Sequence, residues 1–421
     1  MRKIGFVAGL ILFLTLMLGG CSKAEFKDAE SIKTTRNEIW DEYVVEESAN
    51  ETRKAEVKDR KMDFGEVTMK YGLQVVGDPD ENGYPLYIAL HGGGGGDASV
   101  NDSQWAAMVT YYKKYLKNGV YVNPRGVRDT WDCHGNPESY PLYDELIENM
   151  ILYKNVDPNR VYVLGFSAGG DGVYLIAPKM ADRFAAANMS AGHHNHTSVL
   201  SIRNMPIFLQ VGEYDAAYDR NKVTVEYDLL LDEYARAYGG YEHTTYVHFE
   251  KGHNFIDNAP AEQVVIADNK AWLENGDRTT TTAKTYAISL LNEYTRDPLP
   301  EKVVWDLGNR ANLRSVESFY WLSAPYTTNE GVLVASYSKE NNSVTIESST
   351  LNGDFAILIN EDMLDVFSPI TFNTPEGSCT LKLKDRLSSE TIRETTKERG
   401  DKNYQFLVKV SYSELTEKIG K

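Results

Sequence analysis

The segment that decides the fold is RVYVLGFSAGGDGVYLI, residues 160–176. Its first seven residues form an apolar run typical of a buried strand, and the residues from Gly170 onward resemble a helix. Between them lies Gly165-Phe166-Ser167-Ala168-Gly169, with a glycine two positions either side of a serine. This pattern predicts a sharp strand-to-helix turn that exposes a nucleophilic Ser167 at a helix N-terminus, where N–H groups favour negative charge. The alternative is a glycine-rich turn that only packs tightly.

Short apolar runs alternate with helix-like stretches around this segment. The predicted strands are 84–90, 120–123, 160–166, 185–189, 206–211 and 244–249, and the predicted helices are 143–153, 170–183, 223–238 and 261–274. Such alternation predicts crossover units and an α/β fold with a mostly parallel sheet flanked by helices. After about residue 295, closely spaced strand-like runs with one helix-like insert at 388–399 predict a β-rich, sandwich-like domain.

These changes of pattern predict four parts of the chain. We expect a signal peptide at 1–20, a tether followed by an N-terminal helix at 21–61, a catalytic domain at 62–298 and the β-rich domain at 299–421.

A second glycine-rich loop follows the predicted strand YPLYIAL. It begins at His91 and contains five successive glycines at 92–96, which are conformationally costly unless the bare backbone is used. Loops of this HGGG type place an N–H toward the oxyanion of an acyl-transfer intermediate. We expect Gly93 or Gly94 to serve in this way together with Ala168. A phosphate-binding loop is the rival interpretation, but the Gly-Lys-Ser/Thr signature is missing.

A nucleophilic serine requires a base, and the base requires an orienting acid. Asp215 follows the predicted strand PIFLQV, and His253 follows the predicted strand TTYVHF. The carboxyl ends of parallel strands build such sites, and the order Ser167, Asp215, His253 is that of the α/β-hydrolases. Asp219 is a competing acid in the same segment, and we favour Asp215 for its position relative to Gly212.

At this point the sequence resembles secreted bacterial α/β-hydrolase esterases related to polyhydroxybutyrate depolymerases and to feruloyl or acetylxylan esterases. The resemblance covers about residues 62–275 and is carried by LHGGGGG, NPRGVRDTW, VDPNRVYVLGFSAGGDGVY, APKMADRFAAANMSAGH, RNMPIFLQVGEYDAAYDRN and GHNF. It implies a serine hydrolase with Ser167 as nucleophile, Asp215 as acid and His253 as base, working without a cofactor. The C-terminal part resembles, more weakly, the β-rich appendix of some of these hydrolases.

Two further features lie near the predicted site. His193, His194 and His196 form an HHxH cluster that could line the substrate, bind zinc or belong to an ordinary loop. We expect no metal and place His193 in the substrate pocket. Trp131, in the loop after NPRG, is expected to shape the same pocket. Cys133 is expected to be a bystander because the triad already supplies a nucleophile.

The N-terminal segment and the net charge of the chain indicate where the protein is located and which partners it binds. Arg2, Lys3 and the apolar stretch 4–18 precede Leu18-Gly19-Gly20-Cys21, which looks like a lipoprotein signal with Cys21 as the lipidated residue. An ordinary secretory signal with an incidental cysteine is the alternative. Removing residues 1–20 lowers the net charge from -17 to -19, and such a surface repels nucleic acid. We therefore expect an extracytoplasmic protein held on a bacterial cell membrane by its lipid.

Three functions are consistent with these features. The favoured one is a lipid-anchored carboxylesterase that hydrolyses a small-molecule or polymer ester. A serine peptidase of the same fold is the second, although no large N-terminal propeller is present in the sequence. A surface-binding lipoprotein without catalysis is the third. We expect the β-rich domain to contribute no triad residue, so that a chain ending near Asp297 keeps activity on small esters provided that it folds.

The lipoprotein prediction can be tested directly. Cys21→Ala should leave unprocessed precursor or release the protein from the membrane fraction, because each buried acyl methylene contributes about 0.8 kcal/mol of membrane binding. Fractionation with and without detergent measures the effect. Wild-type protein that is soluble without detergent would contradict the anchor.

Overall fold

A computed structural model describes residues 26–311 and 313–420. The predicted signal and Cys21 lie outside the described residues. The strands of the first two thirds of the chain are β1 (Lys61–Phe64), β2 (Val67–Val76), β3 (Tyr84–Leu90), β4 (Gly119–Pro124), β5 (Val156–Phe166), β6 (Ala186–Ser190), β7 (Ile207–Gly212), β8 (His243–His248), β9 (Glu262–Ile266) and β10 (Thr280–Lys284). The helices there are α1 (Ala29–Ser48), α2 (Glu51–Asp59), α3 (Ala98–Tyr111), α4 (Ser139–Lys154), α5 (Ala168–Ile176), α6 (Arg220–Tyr238), α7 (Asn269–Asn275) and α8 (Ala287–Leu291).

The ten strands form one sheet in the order β1-β2-β4-β3-β5-β6-β7-β8-β9-β10. Strands β4, β3, β5, β6, β7 and β8 are parallel to one another, whereas β1, β2, β9 and β10 at the two edges form antiparallel pairs. With β2 antiparallel and a sharp turn after β5, this is the α/β-hydrolase fold, and the predicted fold class is confirmed.

The central strands are buried on both faces by the crossover helices. All six residues of β4 and of β7 are buried, which explains why most residues of these two strands are apolar. Leu90 at the end of β3 is in register with Gly165 on β5. The glycine loop that follows β3 therefore begins beside the Ser167 turn.

The C-terminal part contains two further sheets. Its elements are β11 (Lys302–Asp306), β12 (Ser318–Phe319), β13 (Leu322–Ser323), β14 (Val332–Ser338), β15 (Ser343–Ser349), β16 (Ala356–Ile359), β17 (Ile370–Thr374), β18 (Gly377–Leu381), α9 (Ser389–Arg399), β19 (Val408–Ser411) and α10 (Tyr412–Ile419). One sheet has the order β11-β14-β15-β17-β18 and the other has the order β12-β13-β16-β19. The predicted β-rich C-terminal part is confirmed, and the helix-like insert is α9.

One predicted helix is wrong. The stretch 261–274 forms β9 followed by α7, because Val264, Val265 and Ile266 are β-branched and pair with the next strand, β10. That partner strand, TTTAK, is polar and carries no apolar alternation, so the hairpin depends on tertiary pairing that a periodicity argument does not detect.

The N-terminal segment differs from a tether with one surface helix. It contains two helices, and α1 buries Ile32, Ile39 and Tyr43 against the rest of the molecule. Arg53 of α2 makes an ion pair with Glu148 of α4 at 2.7 Å, which fixes the second helix to the hydrolase part. No helix within residues 26–311 and 313–420 is long and apolar enough to cross a membrane.

Buried ion pairs join the hydrolase part to the β-rich part. Asp144 on α4 receives hydrogen bonds from Arg314 at 2.6 and 2.9 Å and from Arg183 at 2.8 Å. Arg296 is paired with Asp401 at 2.6 Å, and both side chains are buried. A folded protein is strongly destabilised when a buried carboxylate loses its cation. The two parts therefore depend on each other for folding. The predicted activity of a chain that ends near Asp297 requires that it folds, and these buried pairs lead us to expect that such a chain does not fold.

The dependence of the two parts can be measured with single substitutions. Arg296→Met should lower the free energy of unfolding by about 3–5 kcal/mol, because it leaves Asp401 buried without its cation. Arg393→Met is the control, since it removes a solvent-exposed ion pair with Glu42 and should have a much smaller effect. Urea denaturation of both variants gives the comparison. Similar, small losses in the two variants would show that the buried pair does not join the parts.

Candidate active site

The turn between β5 and α5 holds Ser167 in a strained conformation. Its φ of 59° and ψ of -123° lie outside the regions that L-residues prefer. The turn is possible because a Cβ on Gly165 would lie 2.2 Å from the carbonyl oxygen of Gly169, and a Cβ on Gly169 would lie 2.1 Å from that of Leu90. Only glycine fits at both positions. The Ser167 N–H donates to the carbonyl of Ser190 at 2.9 Å, which ties the turn to the end of β6.

The predicted nucleophile, base and acid lie in one hydrogen-bonded row. His253 Nε2 is 2.9 Å from Ser167 Oγ, and His253 Nδ1 is 2.8 Å from Asp215 Oδ2. A neutral imidazole with its proton on Nδ1 donates to Asp215 and accepts from Ser167. The Asp215 side chain is 2% exposed and the His253 side chain is 37% exposed, so the base is open to solvent and the acid is enclosed.

The structure distinguishes the two candidate acids. Asp215 contacts His253, whereas the Asp219 side chain is exposed and lies 3.8 Å from Lys222. Asp215 lies three residues after the end of β7, in a turn closed by the hydrogen bond from its N–H to the carbonyl of Gly212, and its carboxylate contacts the next loop at His253.

The loops that carry the acid and the base are locked together. A Cβ on Gly212 would lie 2.0 Å from the carbonyl oxygen of Gly252, so glycine is required where the two loops meet. Glu213 accepts a hydrogen bond from the N–H of Glu250 at 2.9 Å and forms an ion pair with Arg278 at 2.6 Å. Sequence reasoning missed Glu213, although its position beside Asp215 after a buried strand was a signal.

Asp257 anchors the chain beyond the base. This buried carboxylate accepts hydrogen bonds from Tyr111 at 2.9 Å and from Tyr112 at 2.6 Å. Burial raises the pKa of Asp257, and the tyrosine hydroxyls act in the opposite direction. Phe166 packs against His253 with 5.7 Å between ring centroids and contacts Tyr111 at the same distance. Asp257 was not predicted, because nothing in the sequence places it beside residues of α3.

The amides of Gly93 and Gly94 in the glycine loop differ in whether they already have a partner. The N–H of Gly94 donates to Asn101 Oδ1 at 2.8 Å, and Asn101 Nδ2 donates back to the Gly94 carbonyl at 2.8 Å. The expectation that Gly94 could donate to an oxyanion is therefore wrong, because its donor is already bound. In the part of the chain that the structure describes, the N–H groups of Gly93 and Ala168 have no such partner.

His91 supports this loop from below. Its Nδ1 donates to the carbonyl of Gly92 at 2.6 Å, and its Nε2 accepts the N–H of Gly126 at 3.0 Å. Burial lowers the pKa of His91 to about 4, so the ring is neutral at physiological pH and can accept that hydrogen bond. His91 thus has a supporting position and does not contact the row of triad side chains.

An exposed aromatic pair lies at the edge of the site. The Trp131 side chain covers the glycine loop, since a Cβ on Gly95 would lie 2.8 Å from its ring. Trp131 is 62% exposed, and its ring centroid is 6.3 Å from that of Tyr218, which follows Asp215 by three residues. Gly94 in turn approaches Ala168, so this pair lies next to the residue that follows Ser167. The position fits the prediction that Trp131 contacts substrate.

The histidine cluster lies beside Asp171 in the first turn of α5. The His193 N–H donates to Asp171 Oδ1 at 2.7 Å, and the His193 ring stacks on His194 with 4.8 Å between centroids. His194 is in turn stacked on Tyr227 at 4.1 Å. Among residues 26–311 and 313–420, no three His, Cys, Asp or Glu side chains are grouped to hold a metal ion. The HHxH residues therefore form a packed aromatic cluster beside the first turn of α5.

Comparison with known proteins finds similar chains among ester hydrolases. No family model matches the chain. A stretch of 118 residues is 30% identical to poly(3-hydroxyalkanoate) depolymerase C of Paucimonas lemoignei, covering 26% of this chain and 28% of that protein. A stretch of 143 residues is 28% identical to a bifunctional acetylxylan esterase/xylanase of Neocallimastix patriciarum, covering 33% of this chain and 20% of that protein.

The predicted resemblance to polyester depolymerases and acetylxylan esterases is confirmed. The chain matches less than a third of the length of these curated relatives. A thermostable esterase of known crystal structure aligns with 56% of this chain and 64% of its own, at 23% identity and a TM-score of 0.36.

The two aspartates provide a test of the geometry. Asp215→Asn should slow labelling of Ser167 by a fluorophosphonate roughly a hundredfold or more, because the amide no longer holds the His253 tautomer that accepts the serine proton. Asp219→Asn is the matched control and should react near the wild-type rate. Mass spectrometry of the labelled peptide measures both. The reverse ranking of the two variants would show that the acid is wrongly assigned.

Proposed function

We propose that the protein is a serine carboxylesterase that hydrolyses its substrate through an acyl-enzyme. The observation that carries the proposal is the row Ser167, His253 and Asp215, formed on a strained turn beside the amides of Gly93 and Ala168. A nucleophile, a base within hydrogen-bond distance and a buried acid that orients the base are the parts that acyl transfer requires.

In the first half of the reaction, Ser167 Oγ attacks the ester carbonyl carbon while its proton moves to His253 Nε2. The new C–O bond converts the carbonyl into a tetrahedral oxyanion, which the N–H groups of Gly93 and Ala168 stabilise. Asp215 holds the imidazole in the correct tautomer and stabilises the imidazolium. The oxyanion then collapses, the bond to the leaving alcohol breaks, and His253 returns the proton to the alkoxide oxygen.

The second half repeats these steps with water as the nucleophile. His253 removes a proton from water as its oxygen attacks the acyl carbon, and the same amides hold the second oxyanion. Collapse breaks the bond to Ser167 Oγ, which regains its proton from His253. The products are one carboxylic acid and one alcohol, and the enzyme is restored without a metal or cofactor.

The relatives and the rim of the site support a proposal for the substrate class. The matched proteins are named as a polyester depolymerase and an acetylxylan esterase. The exposed ring of Trp131, and that of Tyr218 beside it, offer apolar surface to a group larger than a small ester. We therefore favour an acyl group on a polysaccharide or a short polyester, with Trp131 in the binding surface. His193, whose N–H is bonded to Asp171 of α5, remains a proposed substrate contact.

The location is part of the same proposal. Leu18-Gly19-Gly20-Cys21 resembles a lipoprotein signal, so we propose that Cys21 carries the lipid and that the enzyme works outside the cytoplasmic membrane. The membrane is then a partner only through this anchor.

A substrate panel tests the reaction. The mature chain should hydrolyse p-nitrophenyl esters and at least one of acetylated xylan, feruloyl esters or polyesters, whereas Ser167→Ala should lose about four or more decades of kcat while remaining folded. Metal chelators should leave the rate unchanged. Efficient cleavage of peptide amides, with esters turned over no faster than their intrinsic reactivity explains, would instead favour a serine peptidase. A well-folded chain with no hydrolytic activity and no labelling of Ser167 would favour a binding protein.

A further inference from the structure

The second carboxylate oxygen of Asp215 faces an arginine that the mechanism above does not use. Oδ2 of Asp215 is bonded to His253, and Oδ1 is 3.7 Å from Arg220 Nη1. In the described part of the chain, His253 and Arg220 are the two basic side chains within 4.0 Å of this carboxylate. The acid thus has one basic neighbour at each oxygen.

The guanidinium of Arg220 makes few hydrogen bonds to the rest of the protein. Its side chain is 12% exposed, its Nε is buried without a hydrogen-bond partner, and Nη1 makes one long contact of 3.4 Å to the carbonyl of Ala217. The guanidinium lies over the ring of Tyr218, with its Cζ 5.0 Å from the centroid. If Arg220 had only a structural role at the start of α6, more of its five N–H donors would be bonded to backbone carbonyls.

The turn before α6 holds Arg220 in this position. Tyr218 and Asp219 have φ values of 59° and 53°, so two successive non-glycine residues are left-handed. Each such residue costs about 1–2 kcal/mol and persists only where its surroundings impose it. The turn brings Arg220, the first residue of α6, back over Asp215, and the N–H of Asn221 bonds to the Asp215 carbonyl at 3.1 Å.

We propose that Arg220 is a positioning residue of the triad, which holds the Asp215 carboxylate with Oδ2 toward His253 and whose positive charge opposes a second positive charge on the base. The proposal rests on the proposed esterase reaction. Its consequence is that an enzyme with Arg220 retains a working base at lower pH than an enzyme without it.

The sign follows from the charges around His253. Asp215 favours the protonated imidazole, and Arg220, on the far side of that carboxylate, opposes it. Asp171 on α5 also interacts with Arg220, and on the loop of the base itself the charged neighbours are Glu250 and Lys251. Burial raises the pKa of Asp171, while the N–H of His193 and the charge of Arg220 act to lower it. Loss of the arginine charge therefore makes the imidazole easier to protonate.

The experiment compares the wild-type full chain with three variants at Arg220 and one control variant. Arg220→Gln and Arg220→Met remove the charge, and the second keeps the apolar packing of the stem in case the first does not fold. Arg220→Lys keeps the charge. Lys222→Gln is the matched control, because Lys222 lies two residues away, is 60% exposed and also carries one positive charge. The pH profiles of kcat/KM on a p-nitrophenyl ester and of fluorophosphonate labelling of Ser167 are measured for each.

The neutral variants should move the acid limb of both profiles upward by about half a pH unit or more, which makes the loss of rate at pH 6 roughly threefold larger than at pH 8. Arg220→Lys should retain the wild-type limb with a lower kcat, and Lys222→Gln should match wild type. A uniform loss at all pH values, or no change, in a folded neutral variant would overturn the proposal.

The labelling profile separates this proposal from the proposed function. If the wild type is labelled at Ser167 but hydrolyses no ester, the esterase assignment fails. The role of Arg220 is then still measured from the acid limb of the pH profile of labelling. If Ser167 is not labelled at any pH, the triad itself is wrong and the proposal for Arg220 fails with it.

Discussion

The site depends on the close approach of backbone at the turn after β5. Gly165 and Gly169 let the chain reverse within van der Waals distance of itself and of β3, and this contact forces Ser167 into a conformation that an L-residue avoids. Such strain persists only if the strands on both sides are held firmly. The parallel strands at the centre of the sheet supply that support, and the glycine loop, the loop of the acid and the loop of the base begin after β3, β7 and β8.

Hydrogen bonds in several loops together hold the site residues in their orientations. Asn101 clamps the glycine loop, Glu213 joins the loop of the acid to the loop of the base, and Asp257 fixes the chain beyond the base. Each uses a carboxylate or amide that is buried and hydrogen-bonded, because an unpaired polar group there would be costly. The catalytic geometry is therefore a property of the whole sheet edge and not of three side chains alone.

The sequence predicts that Ser167, His253 and Asp215 lie close together because each follows an apolar run that a parallel sheet buries, so that their strand ends meet at one edge. It predicts poorly what depends on distant partners. Asn101, which occupies the Gly94 amide, is an ordinary polar residue of α3 in the sequence. Arg314 and Asp144 look like surface charges until the fold brings them together across 170 residues, and β9 becomes a strand only through its pairing with β10.

The burial of Phe26 limits the distance that a lipid on Cys21 would allow between the folded protein and a membrane. Four residues separate it from Cys21, and a fully extended chain of that length spans roughly 18 Å between the two residues. If Cys21 carries a lipid, the folded part of the protein is held close to the bilayer surface. Its substrates would then be esters that diffuse to the membrane or polymers that lie along it, and the direction in which the Ser167 edge faces would decide which of them can enter.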